Sequence, residues 1–149
     1  MIVTRIDPPA WAPAYERHVV EADGPDAERA RTLAAPHLPA IWAELHGQID
    51  AFVNDPERCL LHEAEGFPLR ERVTGEYYIG TETYHGYPAD RDGAGASYEL
   101  SIVARCLEHE WHPSQRQSGY DYLGLEAIVN IHPDGSGYWF DDGLTISAI

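Results

Sequence analysis

The residues best suited to chemistry form one short cluster, Glu108-His109-Glu110-Trp111-His112. Imidazole and carboxylate groups bind metals and transfer protons, so Glu108, His109, Glu110 and His112 are candidate metal ligands or acid–base groups. In an extended strand His109 and His112 point to opposite faces, so both bind one ion only if the chain bends between them. The alternative is a strand that runs into a solvated loop, because acidic side chains are seldom buried.

Other signatures of catalysis are weak in this sequence. No Gly-x-Ser-x-Gly motif is present, which argues against a hydrolase nucleophile elbow. The glycines at 93 and 95 precede a predicted strand rather than a helix, so they do not predict a phosphate-binding loop. We expect no cofactor. A small enzyme or metal-binding domain, built on residues 108–112 with His85 or Asp121 as a further member, is one hypothesis.

The charge of the chain excludes some partners. Among 149 residues there are 25 acidic and 10 basic side chains, giving a net charge of −15. This balance argues against binding to nucleic acid or to an anionic membrane surface. Residues 1–68 carry 12 acids and 5 Arg, and residues 69–149 carry 13 acids and 5 Arg. Because the charge is spread evenly, mimicry of nucleic acid ranks below the other hypotheses.

Location is predicted from what the sequence lacks. The first residues do not contain the apolar core of a signal peptide. No stretch approaches the roughly 20 apolar residues that span a bilayer. The two cysteines do not suggest a disulfide framework and are expected to be buried free thiols. A cytoplasmic protein fits these features best.

The N-terminal part of the sequence has a helical pattern up to Gly66. We expect one α+β domain over 1–149, with a helical part at 1–66 and a sheet part at 67–149. Helices are predicted over 15–22, 25–35, 39–54 and, more briefly, 55–66. The third of these has the clearest apolar stripe, formed by Ile41, Trp42, Leu45, Ile49, Phe52 and Val53.

The later part of the sequence alternates with the two-residue period of strands. Strands are predicted over 73–84, 98–107 and 122–131, followed by a turn and a short return strand at 138–140. Short connections favour antiparallel pairing. The sequence therefore predicts an α+β fold in which the N-terminal helices pack on one face of a C-terminal antiparallel sheet of about four strands.

The same alternation predicts an outer face of the sheet that is rich in tyrosine and glutamate. Tyrosine provides a large contact area and is frequent in interface hot spots. Carboxylates on such a face suit a basic protein partner. The alternative is an ordinary half-exposed sheet, which shows the same alternation. Glu99, Arg105, Asn130 and His132 are expected on the same outer face. The candidate partner-binding residues are Glu76, Tyr78, Glu82, Tyr84, Tyr122 and Glu126.

A small acidic domain with a Tyr/Glu-rich sheet, few cysteines and no catalytic signature resembles the bacterial immunity proteins that neutralise polymorphic toxins. The closing segment, from Asp121 to Ile149, also resembles the ends of small bacterial proteins. The resemblance implies a binding protein that occludes the active site of a basic toxin domain. A homodimer formed through an exposed face or edge remains an open alternative.

Overall fold

A computed structural model describes residues 1–10, 12, 17–55, 73–89, 95–108, 122–141 and 143–146. Its helical part is one continuous segment of 28 residues. The segment consists of α1 (Ala27–Ala34), a single 3-10 turn (Ala35–His37) and α2 (Leu38–Asn54). The helices predicted over 25–35 and 39–54 are therefore present, joined through the turn that contains Pro36.

Helix α2 forms because its apolar residues recur at the helical period and bury one stripe. The buried members are Ile41, Leu45, Ile49, Phe52 and Val53, as predicted from the sequence. A proline lies in the first turn, where no intrahelical N–H bond is lost. The helix ends where the residue after it, at position 55, turns to extended backbone.

The strands form a curled, mixed sheet. In chain order they are β1 (Thr4–Arg5), β2 (Val19–Asp23), β3 (Val73–Tyr87), β4 (Ser97–Glu108), β5 (Tyr122–Ile131), β6 (Tyr138–Phe140) and β7 (Thr145–Ile146). The continuous order is β1-β3-β4-β5-β6, with β2 paired to β3 and β7 paired to β5. Strands β3 to β6 are antiparallel, as predicted.

The two N-terminal strands correct the predicted arrangement. Both β1 and β2 run parallel to β3, so the sheet is mixed and is not confined to the C-terminal part. The helix predicted over 15–22 is wrong, because residues 19–23 are a strand. Two adjacent β-branched valines favour extended backbone, and so short a helix is marginal without strong packing. The short helix predicted over 55–66 lies outside the described residues.

A β-bulge at Gly80 changes which side of β3 faces the core. Ile79 pairs with Ala104, whereas Thr81 pairs with Val103, so one residue of β3 is extra at this point. A β-bulge offsets the alternation of side chains beyond it. A Cβ at position 80 would lie 2.2 Å from Nε of Arg105. Glycine therefore lets the Arg105 side chain pack directly over the bulge.

One face of the sheet holds the apolar core, and both helices pack on it. The alternate residues of β4 and β5 predicted to be apolar are all buried there. They are Tyr98, Leu100, Ile102, Ala104, Cys106, Leu123, Leu125, Ala127, Val129 and Ile131. Within the described ranges, neither helix has the length and apolar character needed to cross a membrane.

Candidate functional site

The predicted partner-binding residues do not share one open face. Tyr78, Glu82 and Tyr84 are only 0%, 6% and 3% exposed, so these three do not form part of an accessible outer face. Glu76 is exposed and Glu126 is half-buried. The side chain of Tyr122 lies outside the described part of the chain. Of the six residues, Glu76 and Glu126 remain available to a partner.

Glu82 and Tyr84 lie in the core because of the bulge at Gly80. Beyond the bulge, Glu82 is paired with Ile102 and Tyr84 with Leu100, both of which belong to the core face. The carboxylate of Glu82 contacts Nε2 of His18 and accepts a hydrogen bond from the Tyr84 hydroxyl at 3.2 Å. A buried carboxylate needs such partners, since burial without them is costly. These two residues therefore stabilise the fold rather than form a docking surface.

The opposite face of the sheet carries a different set of acidic residues. The register places Glu21, Thr83, Ser101 and Ile128 in one row across four strands. The row on one side of it is Asp23, His85, Glu99 and Asn130. The row on its other side, on the same face, contains the pair Val103 and Glu126. We call these residues the acidic sheet face: Glu21, Asp23, Thr83, His85, Glu99, Ser101, Val103, Glu126, Ile128 and Asn130.

The acidic sheet face is accessible. Glu21 and Asp23 are exposed, and its other members are half-buried. Two apolar side chains, Val103 and Ile128, lie among the carboxylates. Arg105 belongs to the same side of β4 but is buried beside Gly80. The accessible part of this face therefore combines four carboxylates with two apolar side chains, which lie in adjacent register rows of β4 and β5.

An exposed tryptophan borders the acidic sheet face. Trp139 pairs with Asn130, is 46% exposed and lies with its ring 4.6 Å from that of His132. Asn130 donates a hydrogen bond to Asp141 at 2.6 Å, which holds one more carboxylate at the same margin. Trp139 and Asp141 also line an open groove of about 1100 Å³ against α2. The groove therefore lies between β6 and α2, at the edge of the sheet.

Three polar residues of this face are linked by hydrogen bonds across β2, β3 and β4. Nδ1 of His85 lies 3.0 Å from Oδ2 of Asp23, and Nε2 of His85 lies 3.1 Å from Oγ of Ser101. The hydroxyl of Tyr87 donates to the same Asp23 oxygen at 3.1 Å. Hydrogen bonds from His85 and Tyr87 hold the pKa of Asp23 below its usual value. Asp23 is therefore an ionised acceptor at neutral pH.

The predicted metal cluster is described only at its first residue. Glu108 is the last residue of β4 and is paired with Val73. His109, Glu110 and His112, like the further candidate Asp121, lie outside the described residues. Among the residues that are described, no group of three or more His, Cys, Asp or Glu side chains is arranged to hold a metal. The metal hypothesis at 108–112 stays a prediction.

Burial changes the ionisation of groups in the core. It raises the pKa of Tyr77, Tyr84 and the Cys106 thiol each to about 12. Cys106 is a buried free cysteine, as predicted, and the raised pKa makes it a poor nucleophile. The Tyr77 hydroxyl forms a hydrogen bond with Nδ1 of His46 at 2.7 Å.

The two buried tyrosines predict a loss of stability in alkali. Their folded-state pKa values lie above the ordinary tyrosine pKa of 10, so folding favours the neutral phenols. Their contribution is fully present below pH 10 and is lost as the pH rises towards about 12. We expect the urea midpoint to fall across this range. Relative to its own value at neutral pH, the urea midpoint of the Tyr84→Phe variant should fall less than that of the unmodified protein. An equal fall in both proteins would contradict the raised pKa of Tyr84.

The alternation of residues in the sequence predicts part of the acidic sheet face. Glu99, Glu126 and Asn130 lie on the face where the alternation placed them. Glu21 was missed because a helix was predicted over 15–22, and Asp23 because it lies between that predicted helix and the next. The adjacent valines at 19 and 20 are the signal in the sequence that indicates a strand there.

The fold and the site together define an α+β protein with a mixed sheet, helices on one face of it and an acidic surface on the other. No protein-family model, no curated protein and no solved structure matches the chain.

Proposed function

We propose that this chain is an acidic binding protein of the immunity type, acting in the bacterial cytoplasm, that binds a basic protein and blocks it. The partner we infer is a toxin domain with an arginine- or lysine-rich surface. The observation that carries the proposal is the acidic sheet face, where carboxylates from three strands lie beside two apolar side chains.

The composition of this face supports a protein partner. Val103 and Ile128 provide apolar area on β4 and β5, and Glu126 pairs with Val103 while Glu21 shares the register row of Ile128. Protein interfaces likewise combine apolar and charged side chains. An isolated cluster of acidic residues would lack the apolar area, which provides most of the affinity.

The charge of the molecule supports a basic partner. The net charge of −15 attracts a cationic protein over distances near the Debye length, roughly 10 Å at 0.1 M salt. Such attraction raises the rate of encounter more than it lengthens the life of the complex. Trp139 adds an exposed aromatic ring at the margin, where an arginine of the partner can stack against it.

The proposal is tested with the product of the open reading frame adjacent to the gene. We expect the two purified proteins to form a complex of equal stoichiometry, measured by titration calorimetry and by size-exclusion chromatography with light scattering. Complex formation should protect the backbone amides around Ile128 from hydrogen exchange. The absence of a complex, or protection on α1 and α2 alone, would contradict it. Self-association of the chain without the partner would indicate a homodimer instead.

A further inference from the structure

Asp23, His85 and Ser101 are linked by hydrogen bonds in that order. The proposed binding function does not explain this arrangement. The carboxylate meets Nδ1 of the imidazole, and the serine hydroxyl meets Nε2. This is the connectivity by which an acid orients a histidine and the histidine removes the proton of a serine. We propose that Ser101 is an activated nucleophile that hydrolyses neutral esters, with His85 as its general base and Asp23 as the residue that positions His85.

The direction of each hydrogen bond follows from the acceptor at one end. An ionised carboxylate only accepts hydrogen bonds, so Asp23 receives the proton of Nδ1. A neutral imidazole with its proton on Nδ1 has a lone pair on Nε2, and this lone pair accepts the hydroxyl proton of Ser101. Tyr87 donates to the same oxygen of Asp23 and so fixes the carboxylate. Asp23 therefore favours the His85 tautomer whose Nε2 can accept the proton of Ser101.

The backbone holds the three groups in place. Asp23 is directly opposite His85 in the β2–β3 pair, and Ser101 is opposite Thr83 in the β3–β4 pair. Groups mounted on strands are positioned more rigidly than groups on loops. Thr83 is the register partner of Ser101 on the same face, so its hydroxyl is the candidate donor to a developing oxyanion.

Access and charge define the class of substrate. The side chains of His85 and Asp23 are 24% and 56% exposed, and Ser101 is half-buried, so a small ester reaches the hydroxyl. Glu21 and Glu99 flank the three residues in the neighbouring register positions. Carboxylates on both sides repel an anionic acyl group. The site therefore favours esters with a small, uncharged acyl group.

The reaction balances with water as the co-substrate. Oγ of Ser101 bonds to the acyl carbon while its proton passes to Nε2 of His85 and then to the leaving alcohol, whose bond to the acyl carbon breaks. Water then attacks the acyl-serine and gives a proton to Nε2. The carboxylic acid leaves as Oγ recovers that proton. No oxidation or reduction takes place in either half.

The test uses the purified full chain and two probes, a fluorophosphonate and 4-nitrophenyl acetate. We expect the fluorophosphonate to form an adduct on Ser101, identified by tandem mass spectrometry of the peptide. The acetate ester should release nitrophenol well beyond one equivalent, and faster than the anionic 4-nitrophenyl hemisuccinate. Ser97, an exposed serine at the start of the same strand, is the internal control and should remain unmodified.

Two variants assign the roles of the other residues. His85→Gln should lower the rate of adduct formation roughly 10²-fold or more, the usual contribution of a general base. Asp23→Asn should lower the maximal rate about 10-fold or more without changing the probe concentration that gives half the maximal rate. A purely structural role would change neither rate in protein that retains its circular dichroism spectrum.

The proposal is overturned if Ser101 reacts no faster than Ser97. It is also overturned if His85→Gln reacts as fast as the unmodified sequence, or if nitrophenol release stops at one equivalent. These readouts are made without a partner protein, so they are independent of the proposed binding function.

Discussion

Replacing Gly86 with alanine is expected to destabilise the fold by about 3 kcal/mol or more, since a forced backbone displacement costs at least as much as overpacking a core. A Cβ at position 86 would lie 2.0 Å from the carbonyl oxygen of Asp26 and 2.7 Å from the backbone nitrogen of Ala27. Both are backbone atoms, so no side-chain rotation relieves the clash. The start of α1 must move away from β3.

That movement breaks the contacts that hold α1 to the sheet. The backbone N–H of Asp26 donates to the carbonyl of Gly86 at 3.0 Å, and the Tyr98 hydroxyl donates to the Asp26 carboxylate at 2.6 Å. Helix α1 also buries Ala27, Ala30 and Ala34. Small side chains let it approach the sheet closely, and this approach is what the added methyl group prevents.

Gly47 provides the matched control. It lies inside α2, and a Cβ there meets no atom within 4 Å. Gly47→Ala should therefore stabilise the protein by about 0.5–1 kcal/mol, the difference in helix propensity. Both variants are measured by urea denaturation with tryptophan fluorescence as the signal. A Gly86→Ala midpoint equal to that of the unmodified sequence would show that α1 does not depend on this close approach.

The sequence predicted those parts of the fold that depend on local periodicity. The stripe from Ile41 to Val53 specifies α2, and the alternation from Leu123 to Ile131 specifies β5, because each pattern buries one side of its own element. The parallel pairing of β2 with β3 was not predictable in the same way. It joins residues about sixty positions apart, and no local pattern in Val19–Asp23 encodes that partner.

The sequence predicted only part of the candidate site, because alternation places side chains correctly only where the strands pair without a bulge. One extra residue at Gly80 moves Glu82 and Tyr84 from the outer face to the core, and the sequence alone does not reveal the bulge. By contrast, β4 and β5 have no such irregularity in their pairing, so Glu99 and Glu126 are placed correctly by alternation. The Asp23–His85–Ser101 series depends on three strands and required the register of all of them.

Reversing two charges of the acidic sheet face is expected to weaken partner binding about 100-fold or more, because attraction at each position becomes repulsion. The double variant Glu21→Arg and Glu126→Arg changes one residue on β2 and one on β5, at the two margins of the face. Neither residue takes part in the Asp23–His85–Ser101 series. The measurement is the dissociation constant for the product of the adjacent open reading frame, obtained by calorimetry.

A second double variant controls for net charge. Glu28→Arg and Asp50→Arg change the net charge by the same amount but lie exposed on α1 and α2, which pack on the other side of the sheet. We expect it to weaken binding by less than about 5-fold, since charges remote from an interface are screened by salt. Equal losses in the two double variants would show that the total charge, and not the acidic sheet face, determines affinity.

Binding through the acidic sheet face is tested by the association rate of the complex, followed by stopped-flow fluorescence from roughly 0.05 M to 0.5 M salt. Binding through the acidic sheet face predicts a rate that falls steeply with salt for the unmodified chain and for the Glu28→Arg, Asp50→Arg control. It predicts a slower and much less salt-dependent rate for the Glu21→Arg, Glu126→Arg variant. A rate that does not change with salt, or the same salt dependence in all three proteins, would contradict it.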